Sequence, residues 1–266
     1  MRPALKPRKP RVWQYPRAIE RAYAADLVSL ADEIERLVRA EVWPVLRERA
    51  DAIEDIPESS GWFESLRRAF VRVTSAIDLS FVPNLVADVA ERLAGQNKQQ
   101  FHTIVRAAYG VDVLVNETWL PAALKAWKSQ NVALCWSLRS QALERMHDKI
   151  VNAVQAGRLV PDVQKEIERE FGVARDRAKL IANDQIGKLQ GQLTQARQQE
   201  LGVDEYTWRG MLDGRERDEH REREGQRFKW SQPPPDGHPG QPIRCRCYAE
   251  PVLPLFADLL PPTIPL

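Results

Sequence analysis

The sequence predicts a mainly α protein with a small α+β C-terminal lobe: long amphipathic helices, then a short two- or three-stranded sheet and an irregular Cys/His loop. Three observations carry this. Apolar residues recur at three- and four-residue steps through most of residues 18–201, which is the period of one helix face. The pattern stops at Gly202, and Glu205-Tyr206-Thr207-Trp208-Arg209 then reads as a strand. Finally, of four His and three Cys in the chain, four of the seven fall between His220 and Cys247.

The elements follow in order. Residues 1–17 form a basic, Pro-rich arm: Arg2, Lys6, Arg8, Lys9, Arg11 and Arg17 face no acid, and prolines at 3, 7, 10 and 16 deny it a helix. The net charge of the whole is only +2, so the rest of the chain is acidic. An N-terminal helical region is expected over 18–110. Ile19, Tyr23, Leu27, Leu30, Ile34 and Leu37 mark a first helix kinked or ended near Pro44. Phe63, Leu66, Phe70, Val73 and Ile77 mark a second over Gly61 to Phe81, and Pro83 opens a third that reaches Tyr109 and stops at Gly110. Residues 111–201 make a further helical part. Residues 111–115 fit a short strand or a buried turn. Helical periodicity resumes after Trp119 and stops at Gly157. A short helix from Pro161 to Gly172 then precedes a long one over Val173 to Leu201, with Gln-rich positions facing out. In the lobe, 202–252, residues 213–229 read as turn and loop, and Cys247 to Val252 as a returning strand. Residues 253–266 form an apolar, Pro-rich tail.

Composition excludes several classes. At 266 residues and 43% apolar content the chain can bury a core. Three cysteines, one of them the isolated Cys135, do not make a secreted disulfide scaffold, so synthesis in a reducing compartment is expected. Met1 to Arg17 has no apolar h-region, and no run of about 18 apolar residues offers a bilayer span. A soluble protein is expected.

The candidate site is the cluster of His220, His238, Cys245 and Cys247. Side chains two apart in extended chain point the same way, so Cys245 and Cys247 together can grip one ion. His220 and His238 are the natural remaining ligands of a tetrahedral structural zinc, with Asp213 as an oxygen substitute. Two other readings stand beside it: both cysteines packed as reduced apolar residues, or both cross-linked. The alternating Arg and Glu of 215–227 read as a solvated surface. Asp213 and Arg217 read as architectural, fixing the loop that carries His220. A metal-dependent nuclease built on His220, His238 and Asp213 is the alternative function. It lacks a general-base constellation, a phosphate-cradling Gly-rich loop and a serine elbow.

These residues carry a resemblance. Arg177-Ala178-Lys179-Leu180-Ile181-Ala182-Asn183-Asp184-Gln185, then Trp208, Asp213, Arg217, His220, Gly225, Pro242 and Cys245-Arg246-Cys247 resemble, in order, the phage Mu protein F-like family of minor head or head morphogenesis proteins. The resemblance covers roughly residues 100–252. Ile243-Arg244 precede the Cys-Arg-Cys where the family usually has an Asn. It implies a non-enzymatic, low-copy component of the phage head, made in the host cytoplasm and associated with portal protein, major capsid protein or both during assembly. Packaging inside the head is left open. The basic arm adds packaged DNA, or an acidic protein groove, to the expected partners. No membrane partner is expected.

Overall fold

The computed structural model describes residues 13–48, 61–110 and 116–253. Most of the arm, residues 111–115 and nearly all of the apolar tail lie outside the described residues. Six helices precede or interrupt three strands: α1 Arg17–Arg47, α2 Gly61–Ala76, α3 Val82–Tyr109, α4 Leu120–Gln155, α5 Val160–Glu200, β1 Glu205–Arg209, α6 Asp218–Glu222, β2 Arg227–Lys229 and β3 Tyr248–Pro251. The mainly α class with a small α+β lobe is the observed one. Among the described residues, no helix is long and apolar enough to cross a membrane.

The periodic stripes become the core. Tyr23, Leu27, Leu30, Ile34 and Leu37 of α1 are all buried. Pro44 neither ends nor interrupts α1, which runs on to Arg47. On α2 the buried residue is Trp62, not the expected Phe63, and its indole Nε1 donates to the Val45 carbonyl at 3.0 Å. That helix stops at Ala76 and not Phe81, because Asp78 instead caps the turn that leads into α3. Its Oδ1 accepts the Ser80 amide at 2.8 Å. The break expected at Gly172 is also absent: α5 is one helix of 41 residues. Val163, Ile167, Phe171, Ala174 and Ala178 form an unbroken buried stripe across that glycine, and burial outweighs the about 1 kcal/mol that a mid-helix Gly costs.

The described residues fall into two compact units. One comprises the described parts of 21–87 and 128–182. There the Tyr23 hydroxyl meets Cys135 Sγ at 3.3 Å and donates to Asn131 Oδ1 at 3.4 Å, Trp43 stacks on Phe171 at 5.8 Å, and Arg175 bridges Asp32 and Glu35. Burial pushes the Cys135 thiol pKa up, which leaves it a packed, protonated side chain.

The other unit comprises the described parts of 13–20, 88–127 and 183–253. It carries the lobe. Trp13, Phe101, Ile104, Val105, Leu201 and Val203 form one apolar cluster, so the last residues of the predicted arm belong to the fold. Gly202, at φ 72°, ends α5 as only glycine does comfortably. Val203 N–H returns to the Gln198 carbonyl at 2.8 Å and Gly202 N–H to that of Gln199 at 3.0 Å, a Schellman cap. The chain then enters an antiparallel sheet of order β2-β1-β3, with Tyr206 opposite Phe228 and Pro251, and Trp208 opposite Ala249. Tyr206 and Trp208 alternate inward, as a half-buried strand requires. Both β2 and α6 lie within the stretch expected to be loop. β2 has only three residues, with the single apolar Phe228, and is made by pairing and not by pattern.

The glutamines expected on the solvent face of α5 are inside. Gln185, Gln190 and Gln198 are all buried. Gln198 donates to the Ala249 carbonyl at 2.9 Å and accepts from Trp230 Nε1 at 3.1 Å, so one amide ties β3 and Trp230 to the helix. Beside it, fully buried Arg197 donates to Glu117 at 2.6 Å and to Asn97.

Gly172 lies mid-helix with nothing within 4 Å of an added Cβ. Gly172→Ala is therefore expected to raise the unfolding free energy by about 0.5–1 kcal/mol, read from urea denaturation. A destabilised variant would contradict the continuous helix.

Candidate metal centre

The loop that carries the cysteines is held from every side. Gly187 and Gly191 lie one helical turn apart on α5, on one face. A Cβ at Gly187 would sit 2.6 Å from the Cys245 carbonyl oxygen, and one at Gly191 2.5 Å from that of Pro239. Helix backbone and loop backbone are thus in direct contact. From α5, Asp184 Oδ1 accepts the N–H of Arg244 at 3.1 Å, a residue at φ 58°. Arg217 donates to the Ile243 carbonyl at 2.7 Å. Arg246 forks onto both oxygens of Asp213, each at 2.7 Å. That fork holds the Asp213 carboxyl well below the usual carboxylate range.

This framing aims Cys245 and Cys247 at one point. Their Sγ atoms lie 3.7 and 3.4 Å from His220 Nδ1, and the three donor atoms are mutually within 4.8 Å. All three residues are buried. A tetrahedral zinc with ordinary bond lengths places sulfur and nitrogen about 3.5 Å apart, so the set fits such an ion. The surroundings fit as well. His220 Nε2 meets Asp236 Oδ2 at 2.9 Å, and Arg223 holds Oδ1 at 2.6 Å; a carboxylate behind a metal-facing imidazole fixes its tautomer and orientation. The Gly240 amide donates to Cys245 Sγ at 3.4 Å, and Trp208 packs edge-on against the imidazole at 5.2 Å. Hydrogen bonding from the Cys247 thiol and from His220 holds the Cys245 thiol well below its ordinary value, against the effect of burial. Its contact with Cys245, then burial, pushes the Cys247 thiol up. Contact with Cys245 and then Asp236 raises the His220 pKa, against the effect of burial.

Of the four predicted ligands, three converge and the fourth stands apart. His238 Nδ1 accepts from the Tyr206 hydroxyl at 2.8 Å, and Nε2 donates to the Trp230 carbonyl at 3.1 Å. With both nitrogens engaged and the ring against Trp230 at 4.8 Å, it is a core residue, and burial lowers its pKa. Asp213 gives both oxygens to Arg246 and is no oxygen ligand here. Sequence reasoning missed Asp236 and the Gly187/Gly191 pair, and it named Asp184 in the helix motif without giving it a role. The glycines carried a signal of their own, since two mid-helix glycines four apart mark a close backbone approach. A cavity of about 130 Å³ lies over the cluster, with Glu216, Arg215, Arg217, Arg244 and Arg246 on its walls.

A buried His-Cys-Cys group with a carboxylate-backed imidazole is one that could hold a metal ion. Residues 144–250 match the model of the family described as phage Mu protein F like protein, which bears out the resemblance read from the sequence. An uncharacterized protein of Haemophilus influenzae is 34% identical over 174 residues, covering 64% of this chain. The chain spans 39% of that relative's length. No solved structure matches.

Two substitutions test the frame. Gly191→Ala forces a Cβ into the Pro239 carbonyl and should destabilise the fold by about 1–3 kcal/mol, the opposite sign to Gly172→Ala; chemical denaturation reads both. Asp213→Asn removes the fork on Arg246. Because the folded-state Asp213 pKa is depressed, the pair stabilises the fold at pH above about 4 and loses that contribution as pH falls through the folded value. The wild type should therefore lose more stability between pH 6 and 3 than Asp213→Asn, as unfolding titrations at each pH would show.

Proposed function

We propose that this chain is a structural minor head protein of a tailed phage, acting in head morphogenesis by binding portal protein, major capsid protein or both, without catalysis of its own. The family match over 144–250 carries the reading. The Asp184, Asp213, Arg217 and His220 positions of that region support it, because each fixes the position of the Cys-Arg-Cys turn or of its neighbours. Residues committed to backbone and to one another are what a rigid assembly module needs.

In this reading the cluster holds zinc, and the ion has a folding role. The Pro-rich connection of residues 232–242 has little regular structure, and a metal that binds only the folded lobe adds its binding free energy to stability. Chelation of the purified protein should lower the unfolding temperature, and zinc readdition should restore it; no change on complete zinc removal would contradict the folding role. The basic residues of 2–11 contact acidic partner surface or packaged DNA. Because Trp13 is buried in the fold, the informative deletion is residues 2–12, which should leave the circular dichroism spectrum intact while reducing incorporation into heads.

The nuclease alternative has one observation in its favour, the arginine-lined cavity over the cluster. Quantitative mass spectrometry of purified full and emptied particles decides the main reading. A fixed, low number of copies per particle is expected, in more than one copy. Absence from particles, together with metal-dependent DNA cleavage that is lost in His220→Ala, would overturn it.

A further inference from the structure

We propose that Glu216 is the fourth ligand of the centre, closing over the ion the coordination position that His220, Cys245 and Cys247 leave facing the cavity. The inference rests on the zinc reading above. Three protein donors leave a tetrahedral ion one position short, and an open position occupied by water is what distinguishes a hydrolytic zinc from a structural one. The identity of the fourth donor thus decides which kind of centre this is.

The other nearby donors are committed elsewhere. His238 is hydrogen-bonded through both nitrogens, Asp213 is spent on Arg246, and Asp236 lies behind His220 on the side away from the sulfurs, held by Arg223. Glu216 differs. Its Oε1 already lies 3.4 Å from Cys247 Sγ, and it lines the same cavity as all three donors. Its Oε2 accepts the Leu212 amide at 2.7 Å, so the backbone holds the carboxylate at the cavity wall.

A cation held by the Cys247 sulfur would lie within reach of a carboxylate oxygen placed this close to it, and it would attract both. Zinc with two thiolates and a neutral imidazole is uncharged, so the added carboxylate makes the centre an anion of charge −1. The arginines on the cavity wall, Arg215, Arg217, Arg244 and Arg246, offset that charge. Glu216 stands outside the group of three mutually close donors, so ligation requires Oε1 to pivot toward them while Oε2 keeps the Leu212 amide.

The test uses the full chain, loaded with zinc for affinity and with cobalt(II) for visible spectra. Zinc affinity is measured by competition with a chelating dye, and circular dichroism confirms that each variant is folded. Wild type is expected to bind cobalt tetrahedrally, with a spectrum that inorganic phosphate does not change. Glu216→Gln should bind zinc more than about tenfold more weakly, and its cobalt spectrum should respond to phosphate, because an exchangeable water now fills the vacated position. Glu216→His, which supplies another zinc donor, should recover tight and phosphate-insensitive binding. A wild-type spectrum that shifts with phosphate, or a Glu216→Gln protein with wild-type affinity and spectrum, would overturn the assignment of Glu216 while leaving the zinc centre standing. Wild-type protein that binds neither metal would overturn both.

Discussion

The lobe depends on one contact, the meeting of the α5 backbone with the backbone of the cysteine loop. Gly187, Gly191 and Gly240 permit it, since a side chain at any of the three would collide with main-chain atoms of the other segment. Close approach brings the Cys245 turn under Asp184, which takes the Arg244 amide, and places Gln198 where it can tie both β3 and Trp230. The side chains of the candidate metal centre are aimed by that packing. Neither cysteine would face His220 if the loop stood a side chain's width further from the helix.

Charge is used with similar economy. Asp213 fixes Arg246, between the two cysteines; Asp236 fixes both His220 and Arg223; Arg209 joins Glu224 to Glu250. These are partly buried pairs, and their hydrogen-bond geometry specifies positions more than it supplies net stability. In such a lobe the Cys-Arg-Cys turn and His220 are each positioned by more than one partner.

Much of this was legible in the sequence, for physical reasons. The five long helices α1 to α5 and β1 announced themselves through apolar period, and the caps through Gly110, Gly157 and Gly202, each of which takes positive φ. The His220, Cys245 and Cys247 convergence was readable because residues two apart share a face and few Cys or His occur elsewhere. What escaped was set by tertiary context. His238 has a ligand's chemistry, but the aromatic cage of Tyr206 and Trp230 satisfied both nitrogens first. Gln198 looked like a surface residue because its partners, a β3 carbonyl and an indole, lie dozens of residues away. The alternating Arg and Glu stretch gave no hint that Glu216, Arg217, Arg223 and Glu224 each have a fixed partner. Gly172 misled in the other direction, since a helix anchored by long buried stripes on both sides tolerates one weak residue.

The central claim is that His220, Cys245 and Cys247 hold zinc, and X-ray absorption at the zinc edge of the purified full chain tests it most directly. The account expects stoichiometric zinc with two sulfur neighbours at about 2.3 Å and nitrogen or oxygen neighbours at about 2.0–2.1 Å. Protein purified without chelator that carries no zinc, or zinc whose shell contains no sulfur, would contradict it.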